Sequence, residues 1–394
     1  MKREANLILA ARMADIEPFH VMDVQNRAHE LEAGGRRIVH MEIGQPDFAA
    51  PPLVADAAVE AIRTRRLGYT DSVGLPQLRR AVSDYYRERL GASVPPSRIV
   101  ITAGASGAFL LTLGSLVNPG DEILMPDPCY PCNRHFVRLF EGRPKAIAVD
   151  EGRRYQLTAA DVRANWSEAT RGVLLASPSN PTGTSIPRGE LRAIVDLVRG
   201  LGGFVLVDEI YQGLVYDGES STALEFADDV FVVNSFSKYF CMTGWRLGWV
   251  VAPESHVREI VKLAQNAFIC PSAPAQYAAL AAFRPETLAV LEQRRSEFRR
   301  RRDFMVPALR SLGFRIPLMP EGAFYIYAGC EEFARDSGRF ALDILEQAGV
   351  AITPGLDFGS NAPERHVRFA YTRALEDLEE GIGSIARVLG RTRS

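Results

Sequence analysis

The sequence predicts an α/β protein: a mostly parallel, seven-stranded sheet between helices, with a smaller α+β unit. Three observations lead there. Between residues 99 and 251, seven short runs are continuously apolar rather than alternating, the pattern of strands buried on both faces. Helical or loop segments separate the runs, as crossovers between parallel strands require. The chain's 394 residues exceed one ordinary core, so a second unit is expected.

The elements follow in order. A helical pattern around 21–32 ends at Gly34-Gly35. Gly44-Gln45-Pro46 makes a turn that exposes backbone N–H groups. Residues 53–66 form an amphipathic helix, Gly68-Tyr69 lies in a loop, and helix resumes through Leu90. The seven apolar runs are 99–102, 122–125, 146–149, 172–176, 204–207, 230–233 and 247–251. Helices over 254–282, interrupted by Pro271 and Pro274, and over 285–312 come next. Strands near 324–327, 350–353 and 367–371, with helices at 338–347 and 374–390, complete the chain. Residues 46–284 form the large domain; 1–45 and 285–394 form an N-terminal arm plus small domain.

Composition excludes several classes. The 46 basic and 48 acidic residues nearly cancel, so nothing draws the chain to nucleic acid or an anionic membrane. The longest basic run, Arg294-Arg295 with 299–302, shares a helical pattern with Leu291, Phe298 and Met305, and reads as a solvated helix face. No signal-peptide pattern or bilayer-length apolar run occurs, so a soluble, cytoplasmic protein is expected. Cys129-Tyr130-Pro131-Cys132 has no second cysteine pair or histidine cluster to complete a metal site.

In parallel sheets, ligands sit at the carboxyl ends of the strands, so the residues after each run carry the chemistry. After 99–102, Gly104-Ala105-Ser106 opens a helix whose N–H groups suit a phosphate. This is no Rossmann fingerprint, and no Gly-Lys pair exists to make a P-loop. Tyr130 follows the second run, Asn180-Pro181 the fourth, and Asp208 with Tyr211 the fifth. Asp208 ends an apolar strand as a Walker B acid does, but without a P-loop the ATPase reading fails. After the sixth run stand Ser235-Phe236-Ser237-Lys238 and then Gly244-Trp245-Arg246-Leu247-Gly248. A lysine between buried strands loses its proton more readily than a surface one. Its neutral amine attacks carbonyls to form Schiff bases. Arg246 and the hydroxyls of Ser235 and Ser237 suit a phosphate dianion. Aldehyde and phosphate on one cofactor describe pyridoxal 5′-phosphate (PLP).

This stretch resembles the cofactor-lysine signature of fold-type I PLP enzymes, in the form carried by class I/II aminotransferases of the aspartate aminotransferase superfamily. The resemblance runs from Ile43 to Ala370, with its landmarks in family order. It implies that Gly104, Ala105, Ser106, Ser235, Ser237 and Arg246 hold the phosphate and that Tyr130 stacks on the ring. It places Asp208 on the pyridine nitrogen, Asn180 and Tyr211 near the ring oxygen, and Lys238 as the cofactor and proton-transfer lysine. Arg368, with Asn180 and Gly44, would bind the substrate carboxylate. Tyr69 would cross a dimer interface to the partner's cofactor phosphate, which implies a homodimer with shared active sites.

The implied activity is transfer of an amino group from an L-amino acid to a 2-oxo acid by a ping-pong Schiff-base mechanism, without metal. Some aspartate-preferring relatives carry lysine at the place of Ser106, so this departure weakens an aspartate assignment while leaving open another cation from the dimer partner. Phe19, Phe268, Phe324 and Tyr69 suggest an apolar or aromatic pocket. The same fold also serves β-eliminating C–S lyases, decarboxylases and cyclopropane-forming synthases. A PLP-sensing regulator would need a helix-turn-helix, for which the first 40 residues are too short and too neutral.

Overall fold

The computed structural model describes residues 9–218 and 221–391. After a two-residue strand, β1 (Val39–His40), the next seven strands make one sheet: β2 (Ile99–Thr102), β3 (Glu122–Asp127), β4 (Arg143–Ala148), β5 (Thr170–Ala176), β6 (Phe204–Asp208), β7 (Phe231–Ser235) and β8 (Gly248–Val251). Their order is β2-β8-β7-β6-β5-β3-β4. All run parallel except β8, which is antiparallel to both neighbours.

The continuous apolarity of the strands has its cause in two cores. Alternate residues face opposite sides: Val173, Leu175, Val205, Val207 and Val232 enter one core, while Leu174, Leu206, Phe231 and Val233 enter the other. Helices cover both faces, so neither set meets water. Edge strand β4 differs from expectation. It begins at Arg143, three residues before the apolar run, and is mostly exposed or half-buried. It pairs only with β3, so Arg143 and Lys145 can reach solvent.

The C-terminal part forms two small sheets. β9 (Tyr325–Gly329) and β11 (Thr353–Pro354) flank β12 (His366–Ala370), antiparallel. β10 (Val350–Ala351) instead pairs parallel with β1. The single strand expected over 350–353 is therefore split at buried Ile352. The split sets Thr353 opposite Arg368.

The basic helix Pro285–Ser311 also departs from expectation. Arg301 and Arg302 are buried, not solvated. Arg301 grips Asp47 with two hydrogen bonds of 2.8 and 3.0 Å, and Arg302 donates to the Pro320 carbonyl at 2.8 Å. The first pair fixes the turn that carries Gly44. Among the described residues, no helix is long and apolar enough to cross a membrane.

Candidate active site

A cavity of about 430 Å³ opens at the carboxyl ends of the parallel strands. Eleven of the fourteen predicted site residues line it: Gly44, Ala105, Ser106, Tyr130, Asn180, Asp208, Tyr211, Ser237, Lys238, Arg246 and Arg368. Arg246 precedes its strand rather than following it. Because β8 is antiparallel, that places it at the same end of the sheet as the others.

Lys238 lies in the turn after β7, and its Nζ donates to the Gly44 carbonyl at 2.7 Å. Burial, then the positive charges of Arg368 and Arg246, pull its pKa down to about 8. Asp208 ends β6, and its Oδ1 accepts the Ile210 N–H at 3.1 Å. Burial pushes its pKa up to about 7. Both groups are thus poised near neutrality inside one cavity, a pattern that marks functional sites.

Arg368 is buried on β12, between Tyr325 at 4.2 Å and Phe358 at 4.9 Å from their ring centres. Its Nη1 donates to Asn180 Oδ1 at 2.8 Å, and Nη2 to the Glu42 carbonyl at 2.6 Å and Thr353 Oγ1 at 3.1 Å. Its Nε is buried without a hydrogen-bond acceptor. A guanidinium so placed suits an incoming carboxylate. Gly44 leaves the room: a side chain there would collide with the Tyr325 hydroxyl.

At the other end, the helix Gly104–Leu116 has no side-chain cap on its N-terminus. Gly104 has φ +72°, and a Cβ on it would lie 2.6 Å from Arg246 Nη2. The missing side chain lets the guanidinium lie against the helix end, a paired donor set for an anion.

Three predicted residues lie outside the cavity lining. Gly104 stands just behind it, under Arg246. Ser235 Oγ accepts the Ser237 N–H at 3.0 Å and lies 2.9 Å from Ser237 Oγ, so it supports Ser237 from behind. Tyr69 is 83% exposed and does not reach this chain's own cavity. Of the four suggested pocket aromatics, only Phe19 lines it.

Sequence reasoning missed Tyr325, Thr353 and Phe358. The Tyr325 hydroxyl shares a 2.9 Å hydrogen bond with that of Tyr211. Long-range strand pairing places Tyr325 and Thr353, and the short turn Gly355–Asp357 places Phe358, which no local spacing reveals. Cys129 is free, and burial raises its thiol to about 12, so it is no nucleophile near pH 7. The described residues contain no group of three or more potential metal ligands.

PLP fits these residues. The bare helix end and Arg246 match a phosphate, Asp208 a ring nitrogen, and Lys238 an aldehyde. Comparisons with known proteins agree. The family model described as aminotransferase class I and II matches residues 36–385. The chain is 38% identical to valine–pyruvate aminotransferase of Mycobacterium tuberculosis, over 95% of this chain and 97% of that one. It is 34% identical to (5-formylfuran-3-yl)methyl phosphate transaminase of Methanocaldococcus jannaschii, over 98% of this chain and 100% of that one. A solved aminotransferase from Mycobacterium tuberculosis superposes with TM-score 0.94 at 38% identity, covering 98% and 100% of the two chains. With its cavity and its full-length relatives pointing the same way, the chain belongs to the class I and II aminotransferases, PLP-dependent enzymes that move amino groups between amino acids and 2-oxo acids.

Proposed function

We propose that Lys238 is the proton-transfer group of this aminotransferase, that Arg368 clamps the substrate carboxylate, and that the enzyme works as a cytoplasmic homodimer. The observation that carries the reading is the convergence of Lys238, Asp208 and Arg368 on one cavity, with the lysine pKa lowered to about 8. In outline, residues 46–284 form the PLP-binding unit, and 1–45 with 285–394 the smaller unit.

When bound, PLP supplies a carbon that accepts the amino group and a ring that draws electron density from the substrate Cα. Ala105, Ser106, Ser237 and Arg246 hold its phosphate, with Gly104 and Ser235 behind them. Tyr130 covers the ring face. Asp208 holds a proton on the ring nitrogen, and Asn180 and Tyr211 hydrogen-bond the ring oxygen. Arg368, Asn180 and Gly44 orient the substrate carboxylate, so that Lys238 Nζ can take the proton from Cα.

The dimer reading rests on Tyr69, whose exposure is high for a large aromatic residue. Beside it, Ser72 Oγ donates to the carbonyl of half-exposed Ile269 at 2.6 Å, so apolar surface continues there. Tyr69 of one subunit then serves the cavity of the other. All five cysteines are free, in keeping with a reducing compartment.

The direct test is the absorption spectrum of the purified protein. The visible cofactor band should be replaced by the pyridoxamine phosphate spectrum when a suitable L-amino acid is added without oxo acid. A band that no amino acid alters would contradict the assignment. A second expectation concerns Gly104→Ala. The added Cβ meets Arg246 and adopts an unfavourable φ, so cofactor retention through gel filtration should fall about tenfold. Unchanged retention would remove the helix end from the phosphate site.

A further inference from the structure

We infer that the side-chain subsite of this cavity takes an apolar, branched or aromatic amino acid, roofed by the first turn of the helix Val21–Ala33 and pinned there by Asp357. The inference rests on the carboxylate clamp proposed above and adds the substrate class.

The charged groups lining the cavity are Glu42, Asp208, Lys238, Arg246, Asp357 and Arg368. Asp208, Asp357 and the three cations each already have a task. The three cations serve the phosphate, the cofactor aldehyde and the α-carboxylate. Among the described residues this chain lines the cavity with no fourth cation, so it supplies no counter-charge of its own to a second carboxylate on the substrate. Arg134 lies near, but its Nη2 donates to the Asp357 carbonyl at 2.7 Å, and it does not line the cavity. The two remaining acids oppose an anion. Asp357 is engaged as a helix cap, and Glu42 is half engaged: its Oε1 lies 2.7 Å from His40 Nδ1, while its buried Oε2 has no hydrogen-bond partner.

That cap is unusual in its origin. The helix Val21–Ala33 has no capping side chain of its own at its N-terminus. Asp357, more than 330 residues later, accepts the N–H of His20 at 2.6 Å and of Val21 at 3.0 Å, one on each oxygen. The carboxylate meets both the orphan donors and the positive end of the helix dipole. It thereby holds Phe19, Val21 and Met22 over the cavity, all three of which line it. Phe109 and Phe136, stacked at 5.2 Å, form an apolar wall below. Met22 is 43% exposed, so a substrate side chain beneath it would remove apolar surface from water. Each buried methylene should add a factor of roughly three to four in affinity.

The test uses the PLP-bound enzyme and carboxylates that lack an α-amino group, with dissociation constants from calorimetry. 4-Methylpentanoate and 3-phenylpropanoate should bind at least about tenfold more tightly than butanedioate or 6-aminohexanoate. Met22→Ala should weaken the two apolar ligands about threefold to fivefold and leave butanedioate unchanged. Asp357→Asn, which keeps the shape but loses one accepting oxygen, should give the same split, with the far-ultraviolet dichroism intact. Butanedioate binding as tightly as 4-methylpentanoate would overturn the inference and point to a cation from the partner subunit. Tighter 6-aminohexanoate binding would overturn it in favour of a cationic side chain, drawn by Glu42. Equal weakening of every ligand by both variants would reduce the roof to a structural element. If Arg368→Lys altered the binding of no ligand, the carboxylate clamp itself would fall, and this subsite with it.

Discussion

Replacing Lys238 with alanine should lower kcat by about 10⁴-fold or more, and replacing it with arginine should do the same. Positioned acid–base transfer alone contributes roughly 10²–10⁴-fold, and the covalent hold on the cofactor is lost as well. The arginine variant separates charge from basicity. A guanidinium keeps the positive charge but does not give up its proton in a protein. Lys238 is suited to the role because burial, with Arg368 and Arg246 close by, holds its pKa near 8. About a tenth of it is then neutral at pH 7, against well under a thousandth for a surface lysine. The sign of the pH dependence follows: the nucleophilic form grows as pH rises through 8. When PLP is added to the cofactor-free protein, the visible band should therefore appear about fifteen times faster at pH 8 than at pH 6.5, levelling off above pH 9. A rate flat across that range, or appreciable turnover by Lys238→Arg, would remove the neutral amine from the mechanism.

Much of this site is legible along the chain because the fold repeats one grammar. Each buried parallel strand is a continuous apolar run, and the residue that ends it must point to the shared edge. Asp208 at the end of β6, Asn180 just after β5 and Lys238 just after β7 are found that way. Arg246 is found through its motif, and only the antiparallel course of β8 explains why it stands before its strand. What the sequence hides is set by distant pairing. Thr353 meets Arg368 because the chain changes sheets at Ile352, and Asp357 caps a helix at the far end of the chain. Neither has a local signature, since a threonine in a strand and an aspartate in a turn are ordinary residues. The basic run misleads for the same reason. Its spacing matches a solvated face, yet Asp47 and Pro320 draw Arg301 and Arg302 inward.

Asp208→Asn should cost activity and gain stability. On the activity side, the variant presents a neutral amide where the ring nitrogen needs a carboxylate, and the ring loses its protonated form as an electron sink. Loss of one such preorganised electrostatic contact lowers kcat by about 10²–10³-fold. On the stability side, burial raises the Asp208 pKa from 3.8 to about 7. A raised acid binds its proton more tightly in the folded state, so folding is favoured less as pH climbs between those two values. The penalty is absent below pH 4, grows through pH 7 and is complete above it, on the order of a few kcal/mol. Asparagine carries no such penalty and can still accept the Ile210 N–H through its oxygen. The cofactor-free variant should thus melt several degrees above the cofactor-free wild type at pH 8, with the gap closing toward pH 4.5. Equal melting temperatures at pH 8 would show that Asp208 is not buried at a cost. A variant that was more stable yet fully active would show that the cost serves no catalytic end. The expected pairing, slower and more stable, is the mark of a carboxylate kept in an unfavourable place because a cationic ring comes to meet it.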